Sequence, residues 1–286
     1  MALTFQAGTT VVISNGTTSR ELLVRSATAS QTYLEETRSI KTLHSPNNIP
    51  DTFSNSKSAV SLELDMYLTI GDTIILEWFG MSRSGNRYTF SHIGNSPVAY
   101  TVYIKATGTI YRVTNCHLSN MVFKLDGKSD ALAINLSATG SDMDIVASLP
   151  ALTNTKQSRS DLIYGGLTVS GVSNLIAGVT VEASKSISWV QNKTLHSAFS
   201  GSVYTPNSAY IEDFTVGGTW TRYKSDNVLP PYSTSFTMTL TYGGKFVINL
   251  SPCKRLGRWD IGDVIHKVMH DFKLLPGVSS AYLEFL

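Results

Sequence analysis

The five residues from Lys41 to Ser45 occur a second time, unchanged, from Lys193 to Ser197, an offset of 152 positions (193 − 41). The same offset places Asn55-Ser56 on Asn207-Ser208, and it places three apolar residues on three others: Leu62, Leu64 and Leu68 on Phe214, Val216 and Trp220. The two-residue spacing is kept, so corresponding strands turn the same face inward in both copies. The repeat predicts two tandem copies of one β-rich domain, residues 1–150 and 151–286.

The composition favours a subunit that buries much of its surface in an assembly. Hydrophobic residues make up 42% of the chain but charged residues only 15%, against a typical value of about 25%. A monomer normally keeps more surface charge for solubility. An ordinary β-sandwich with strands rich in Ser and Thr is the alternative. The net charge of +2 comes from scattered residues and does not favour attraction to nucleic acid.

Alternating apolar residues and turn signals predict mostly strands. In the first copy the predicted strands are Thr10 to Ile13, Val60 to Leu68, Thr73 to Trp78, Ala99 to Lys105, Thr109 to Val113, Met121 to Leu125 and Ala131 to Leu136. Residues Ala138 to Ser160 are predicted to form the connector. In the second copy the predicted strands are Leu167 to Val169, Ala177 to Val181, Ile187 to Val190, Phe214 to Thr221, Ser235 to Tyr242, Phe246 to Leu250 and Ala281 to Phe285.

A C-terminal amphipathic helix is predicted from one apolar stripe. Its residues recur at helical spacing: Ile261, Val264, Ile265, Val268, Met269 and Phe272. Asp260 can cap the start, and Pro276-Gly277 stops the helix.

The repeated pentapeptide is followed in both copies by a polar segment that predicts a long loop, Ser45 to Lys57 and Ser197 to Ala209. Loops of this length are uncommon in compact domains and are usually functional or disordered. The equal length in both copies favours a geometric role, such as reaching a neighbouring subunit.

No residue pattern predicts a catalytic site, a metal site or a cofactor. His266 and His270 stand four apart on the predicted helix, but Lys267 occupies the place where a zinc peptidase motif needs Glu. A solvated helix face is the simpler interpretation. The repeated His44 and His196 are interpreted as hydrogen-bonded imidazoles at a duplicated hairpin.

The two cysteines occupy comparable places in the two copies. Cys116 and Cys253 each follow a predicted strand, and as equivalent residues they would lie a domain apart. A disulfide between them is therefore not expected, and both are predicted to be small buried hydrophobes.

The chain resembles tail tube proteins of long-tailed bacteriophages. In the second copy the resemblance lies in Leu167 to Val181, Ile187 to Trp189 and Lys193 to Ser197, and in the first in Glu36 to Ser45. The hairpin from Tyr103 to Cys116 and the following segment from Leu118 to Leu136 look like the closing strands of that family. Many tube proteins carry one copy of the domain, whereas this chain carries two.

The resemblance implies two tandem tail-tube-like β-sandwich or barrel domains whose sheets join neighbouring subunits edge to edge into a ring. Rings would stack into a hollow tube that conducts DNA. Two copies per chain imply three subunits in a pseudo-sixfold ring, with six subunits as the alternative. The implied residues of the contacts between rings lie in the two loops or directly before them: His44, Ser45, Asn47, Asn48, Pro50, Asp51, Asn55, His196, Ser197, Ser202, Tyr204, Pro206 and Asn207.

The same resemblance implies a virion component that is produced in the host cytoplasm. Its partners would be the tape measure, terminator and baseplate or tip proteins, with DNA passing through the lumen without sequence-specific binding. A near-neutral bore suits this passage because a strongly basic one would hold phosphates. No apolar stretch approaches the ~18 residues of a membrane span, so no membrane anchor is expected.

Two other functions stay open. A carbohydrate-binding or adhesin-like virion protein with two β-sandwich domains would display clustered aromatic residues, whereas Trp189, Trp220 and Trp259 look like packing residues. A hydrolase with a site between the copies would need polar residues that differ systematically between them, and no such set is present.

Overall fold

The structure, a computed structural model, describes residues 2–5, 9–42, 45–90, 96–126, 131–153, 159–171, 176–190, 205–223, 235–261, 267–275 and 280–286. In the first half the elements are β1 (Ala2–Phe5), β2 (Thr10–Ser14), β3 (Ser19–Leu22), β4 (Val24–Ser30), β5 (Tyr33–Thr42), β6 (Ser45–Lys57), β7 (Val60–Tyr67), α1 (Thr73–Trp78), β8 (Ser82–Ser84), β9 (Arg87–Thr89), β10 (Tyr100–Ala106), β11 (Thr109–Asp126), β12 (Ala133–Gly140) and β13 (Asp142–Val146).

A 3₁₀ turn at Arg159–Asp161 precedes the second half. Its strands are β14 (Leu167–Ser170), β15 (Ile176–Val190), β16 (Ser208–Tyr223), β17 (Phe236–Tyr242), β18 (Phe246–Ile261), β19 (Lys267–Leu274) and β20 (Tyr282–Phe285). The fold is mainly β, as predicted, and every strand ladder among the described residues is antiparallel.

The predicted C-terminal helix is wrong over the described residues. Ile261 ends strand β18, and Val268, Met269 and Phe272 lie in strand β19. In β19 the buried residues alternate, with His270 and Phe272 inside and Met269 40% exposed. The helical interpretation failed because the polar residue His270 faces the core, whereas the apolar residue Met269 faces solvent. Residues 262–266, including Val264 and Ile265, lie outside the described residues.

The segment Thr73–Trp78, predicted as a strand, is helix α1. Ile74, Ile75, Leu76 and Trp78 are all buried, so the segment shows no two-residue alternation. A short run that is apolar on every side does not distinguish a strand from a buried helix. Asp72 fixes the preceding turn by accepting hydrogen bonds from the backbone N–H and the hydroxyl of Thr69, both at 2.7 Å.

Two further expectations about irregular segments are wrong. The first predicted loop is strand β6, which pairs along its length with β5. The predicted connector begins later than expected, because β12 runs on to Gly140 and Asp142–Val146 forms β13.

The strand pairings of the first half recur in the second. In the first half β2 pairs with β10, β10 with β11, and β11 with both β12 and β13; β12 pairs with β7, and β7 with β4. In the second half β14 pairs with β17, β17 with β18, and β18 with both β19 and β20; β19 pairs with β16, and β16 with β15. The two halves therefore have the same order of ladders.

The recurrence extends to single residues. Cys116 lies opposite Tyr100 and Cys253 lies opposite Phe236, and a register shift follows next to each pair. Both cysteines are free and fully buried, as predicted.

A row of paired residues across four strands runs through Ala27, Leu64, Leu136 and Met121, and its counterpart runs through Val179, Trp220, His270 and Trp259. Ala27 and Val179 differ by the 152 positions of the sequence repeat, whereas Leu64 and Trp220 differ by 156. The ungapped alignment of the second strand is therefore wrong by four residues.

One hydrophobic cluster spans both halves. Val60, Leu62, Leu64, Met66 and Leu68 all face it, as the alternation predicted, and none is more than 2% exposed. It also includes buried residues of β17, β18 and β20. The halves therefore share a core.

Candidate assembly surfaces

Strands β5 and β6 form a two-stranded sheet of their own, here called the arm (residues 33–57). Pairing runs from Tyr33 opposite Lys57 to Thr42 opposite Ser45, and within the described residues neither strand pairs with a third. Ten residues of strand span roughly 30 Å. Two-stranded hairpins are at best marginally stable alone in water and leave unpaired backbone groups on both edges. The arm therefore presents two strand edges that a neighbouring molecule can use.

The base of the arm is fixed to the body by buried polar contacts. The amide nitrogen of Gln31 donates to the carbonyl of Ser58 at 3.0 Å and to that of Ser141 at 3.3 Å, and its amide oxygen accepts from the N–H of Met143 at 3.1 Å. These bonds tie the strand that enters the arm to the strand that leaves it and to the turn before β13. The direction of the arm is therefore set by the body.

An ion pair adds to this attachment. The Lys57 ammonium lies 2.7 Å from the Asp142 carboxylate and 5.4 Å from the ring centroid of Tyr33. Burial lowers the pKa of Lys57, but the hydrogen bond and charge of Asp142 act the other way and leave this pKa above its ordinary value. Lys57 is therefore charged at neutral pH.

The structure brings six of the predicted contact residues of the first copy onto one strand of the arm. They all lie in β6: Ser45, Asn47, Asn48, Pro50, Asp51 and Asn55. His44 lies outside the described residues.

The corresponding segment of the second copy is described only at its ends. Strands β15 and β16 stay paired out to Val190 opposite Ser208. Pro206 is buried and Asn207 is exposed. The other predicted contact residues lie outside the described residues: His196, Ser197, Ser202 and Tyr204.

A third surface, which the sequence reasoning missed, joins the halves edge to edge. The C-terminal part of β11 pairs with β15 over seven residue pairs, from Asn120 opposite Ser184 to Asp126 opposite Gly178. We call this ladder the seam. Met121, Phe123 and Leu125 of β11 face the core there, each 2% exposed or less. The alternation of these residues was visible in the sequence, but their partner strand lies far along the chain and was not.

The profile of the bacteriophage baseplate tube protein family matches residues 5–274, which is most of the chain. The chain belongs to the bacteriophage baseplate tube protein family. No curated protein sequence matches it significantly. Family membership makes this baseplate tube protein a structural component of the phage virion that assembles with other tail or baseplate proteins, and it argues against an enzyme.

The histidines that this baseplate tube protein buries take packing roles. His270, expected on a solvated face, is fully buried, with its ring 5.4 Å from Trp220 and its Nδ1 3.2 Å from the Arg255 guanidinium. His117 lies 5.2 Å from Trp189, and its Nδ1 is 3.0 Å from the carbonyl of Val98. Burial lowers the pKa of His117 despite that bond.

The remaining chemistry of this baseplate tube protein is sparse. Within the described residues no group of His, Cys, Asp and Glu side chains is arranged to hold a metal ion. No helix in that part of the chain is long and apolar enough to cross a membrane. Burial raises the pKa of Cys116 far above its ordinary range and that of Cys253 to about 12, so both thiols are protonated and unreactive.

Proposed function

We propose that this chain is a duplicated tube domain, residues 1–150 and 151–286, whose subunits form rings that stack into the hollow tube of the phage baseplate and tail. The ring contains three subunits in pseudo-sixfold symmetry, with six as the alternative. It conducts DNA during ejection and contacts the tape measure, terminator and baseplate or tip proteins. The recurring order of ladders, with the two halves joined at the seam, carries this proposal.

The stagger of the strands supports closure into a barrel. A row of paired residues that starts at Phe123 passes through Val181, Gly218 and Phe272 and ends at Arg255. Arg255 lies two residues after Cys253, as Leu118 lies two residues after Cys116, so Arg255 is the counterpart of Leu118. The row therefore starts at Phe123 and ends at the counterpart of a residue five positions earlier. One of these residues is taken up by the shift between Leu118 and Asn120. Each four-stranded unit therefore contributes a stagger of four.

Six such units would give 24 strands with a shear of 24. Equal strand number and shear give a strand tilt of about 36°, as in eight-stranded barrels with a shear of 8. With strands about 4.8 Å apart, this barrel measures roughly 45 Å between backbones. Inward-facing side chains would then leave space for a DNA duplex. Twelve units, from six subunits, would double that diameter.

The face of the main sheet that points away from the core suits a DNA channel. Its charged residues are of mixed sign and include Arg25, Glu63, Asp65, Lys124, Glu182, Lys254, Asp271 and Lys273. A face with nearly balanced charges does not hold phosphates by counterion release. We assign this face to the lumen, and we assign the arm and the predicted contact segment of the second copy, residues 197–209, to contacts between rings.

Negative-stain microscopy of the purified protein tests the proposal. We expect rings or tubes with a central hole and six similar lobes, and a ring mass of three times 31.2 kDa by native mass spectrometry. Rings of six chains with twelve lobes would support the alternative stoichiometry. Compact monomers with affinity for glycans would contradict the tube and favour the carbohydrate-binding module.

A further inference from the structure

The second half leaves open the strand edge that the first half uses in the seam. In β11 the residues from His117 onward pair with β12 on one edge and, from Asn120, with β15 on the other. In β18 the residues from Cys253 to Ile261 pair with β19, the counterpart of β12. Cys253 also pairs with Phe236 of β17 on the other edge, but within the described residues no strand pairs with that edge at Trp259 to Ile261. That edge corresponds to the one that binds β15.

The ladders also fix which residues correspond. Met121 lies opposite Leu136, and Trp259 lies opposite His270 in the matching row. In the next matching row, Phe123 lies opposite Ile134 and Ile261 lies opposite Val268. Met121 and Phe123 are core residues of the seam, and apolar residue types stand at both corresponding positions of β18. The free edge therefore carries the residue pattern of an edge that is buried.

The matching receiving edge lies on β4. In the seam Met121 faces Ala183 and Phe123 faces Val181. The repeat offset of 152 maps Ala183 on Gln31 and Val181 on Ala29. In the single chain this edge of β4 is taken by β1, with Ala2 opposite Ser30 and Leu3 opposite Ala29. Strand β1 thus covers the edge of β4 where, by analogy with β11 on β15, the repeat would place a β18.

We propose that a second copy of this chain pairs its β18 with β4 in antiparallel orientation, with Trp259 opposite Gln31 and Ile261 opposite Ala29, after β1 has left that edge. This inference rests on the proposed ring, and it makes the contact between subunits a repeat of the contact within each subunit. Covering β4 with β1 protects an open edge from wrong pairing before assembly. Strand exchange of this kind conserves the backbone hydrogen bonds of the edge.

Cysteine pairs test the register. Asp260 is predicted to lie opposite Ser30, and paired positions in an antiparallel ladder are close enough for a disulfide. Mixed S30C and D260C proteins should form a cross-linked dimer on oxidation, while mixed T28C and D260C proteins, two residues out of register, should not. V122C/E182C, which tests the same pairing inside the seam, is the intramolecular positive control. The buried native thiols stay out of the reaction.

The outcomes separate this inference from the proposed function. Rings with a strong S30C–D260C cross-link and no T28C–D260C cross-link support it. Rings in which the S30C–D260C cross-link is missing, or no stronger than the T28C–D260C one, overturn the register but leave the tube intact. Failure to form rings under any condition overturns both.

A second pair tests the departure of β1. An A2C/S30C disulfide would hold β1 on β4, since these residues are opposite each other. We expect ring formation to fall at least tenfold in the oxidised protein and to recover on reduction, and removal of residues 2–5 to permit assembly. Equal assembly of the oxidised and reduced forms would show that β1 stays in place.

Discussion

The ring of Phe123 in the first half stacks on that of Phe246 in the second, with 5.7 Å between the ring centroids. Phe246 in turn lies 5.1 Å from Phe285, and Phe285 meets Tyr88 edge-on at 6.3 Å. All four side chains are buried, so a line of aromatic rings crosses the boundary between the halves. The duplicated halves are consequently coupled by packing as well as by the seam.

We expect Phe123→Ala to destabilise the whole chain in one cooperative transition. Removing a fully buried phenylalanine leaves a cavity and typically costs 3–5 kcal/mol. Urea unfolding followed by tryptophan fluorescence and by circular dichroism would measure the loss. Ile145→Ala is the matched control, because Ile145 is 69% exposed and its loss should change stability little. Two separate transitions, with only one shifted by Phe123→Ala, would contradict the coupling.

Asp72 is expected to be the most sensitive charged position near α1. Its carboxylate has no exposed surface, accepts two hydrogen bonds from Thr69 and lies 3.1 Å from Nε of Arg20. Removing one member of a buried ion pair strands its partner and typically costs about 3–5 kcal/mol. Asp72→Asn should lose stability on that scale in urea unfolding.

The exposed pair between Arg112 and Asp144 is the control for that prediction. Both side chains are more than one third exposed, and surface pairs are worth about 1 kcal/mol or less. Asp144→Asn should therefore have a small effect. Similar losses in the two variants would mean that the Asp72 site is not specially sensitive.

Local pattern was enough to predict much of the fold. The inward residues of β7, the hairpin of β10 and β11 and the burial of the two cysteines all follow from short-range alternation or turn signals. In the Thr107-Gly108 turn both residues have positive φ (47° and 90°), and glycine adopts this conformation at low cost at the second position. The ungapped repeat placed Leu64 four residues away from its structural counterpart Trp220, because the four extra positions between β15 and β16 leave no signal in the sequence.

The failures occur where tertiary contacts override local preference. Strand β6 is rich in Ser, Asn, Pro and Asp, which are poor strand formers, and its strand geometry comes from pairing with β5. In β19, His270 faces inward because Trp220 and Arg255 provide partners that lie far away in sequence. The seam pairs β11 with β15 across the two halves, and no local pattern encodes that pairing.

Lys185 should give the protein an unusual dependence on pH. Its ammonium donates to the carbonyl of Phe79 and lies 4.2 Å from the centroid of the Phe79 ring. Burial lowers the pKa of Lys185 from 10.5 to about 8. Between these values the unfolded chain binds more protons than the folded chain, so this residue makes stability rise with pH. Below about pH 8 Lys185 is protonated in both the folded and the unfolded chain, and the full free-energy cost of burying its charge is present.

We therefore expect Lys185→Met to be more stable than the wild type at pH 7, by on the order of 1–3 kcal/mol. The difference in the free energy of unfolding between the two proteins should become smaller as the pH rises from 8 to 10. Urea midpoints of the two proteins at each pH would measure it, and the comparison removes the contribution of other groups that titrate in this range. Lys124→Met, at an exposed position, is the matched control for the change of residue type. A difference that does not change with pH would assign the Lys185 effect to packing alone.

Shortening the arm should separate ring formation from stacking. Replacing residues 38–51 by Asn-Gly closes the hairpin between Thr37 and Thr52, which are already paired, with a two-residue turn suited to antiparallel strands. Because the shortened hairpin keeps the base of the arm with its contacts to the body at Gln31 and Lys57, the unfolding midpoint should stay within experimental error of the wild type. In negative-stain images we expect single rings without stacked tubes, since the strand edges that reach the next ring are gone. Tubes of normal length from this variant would remove the arm from the contact between rings.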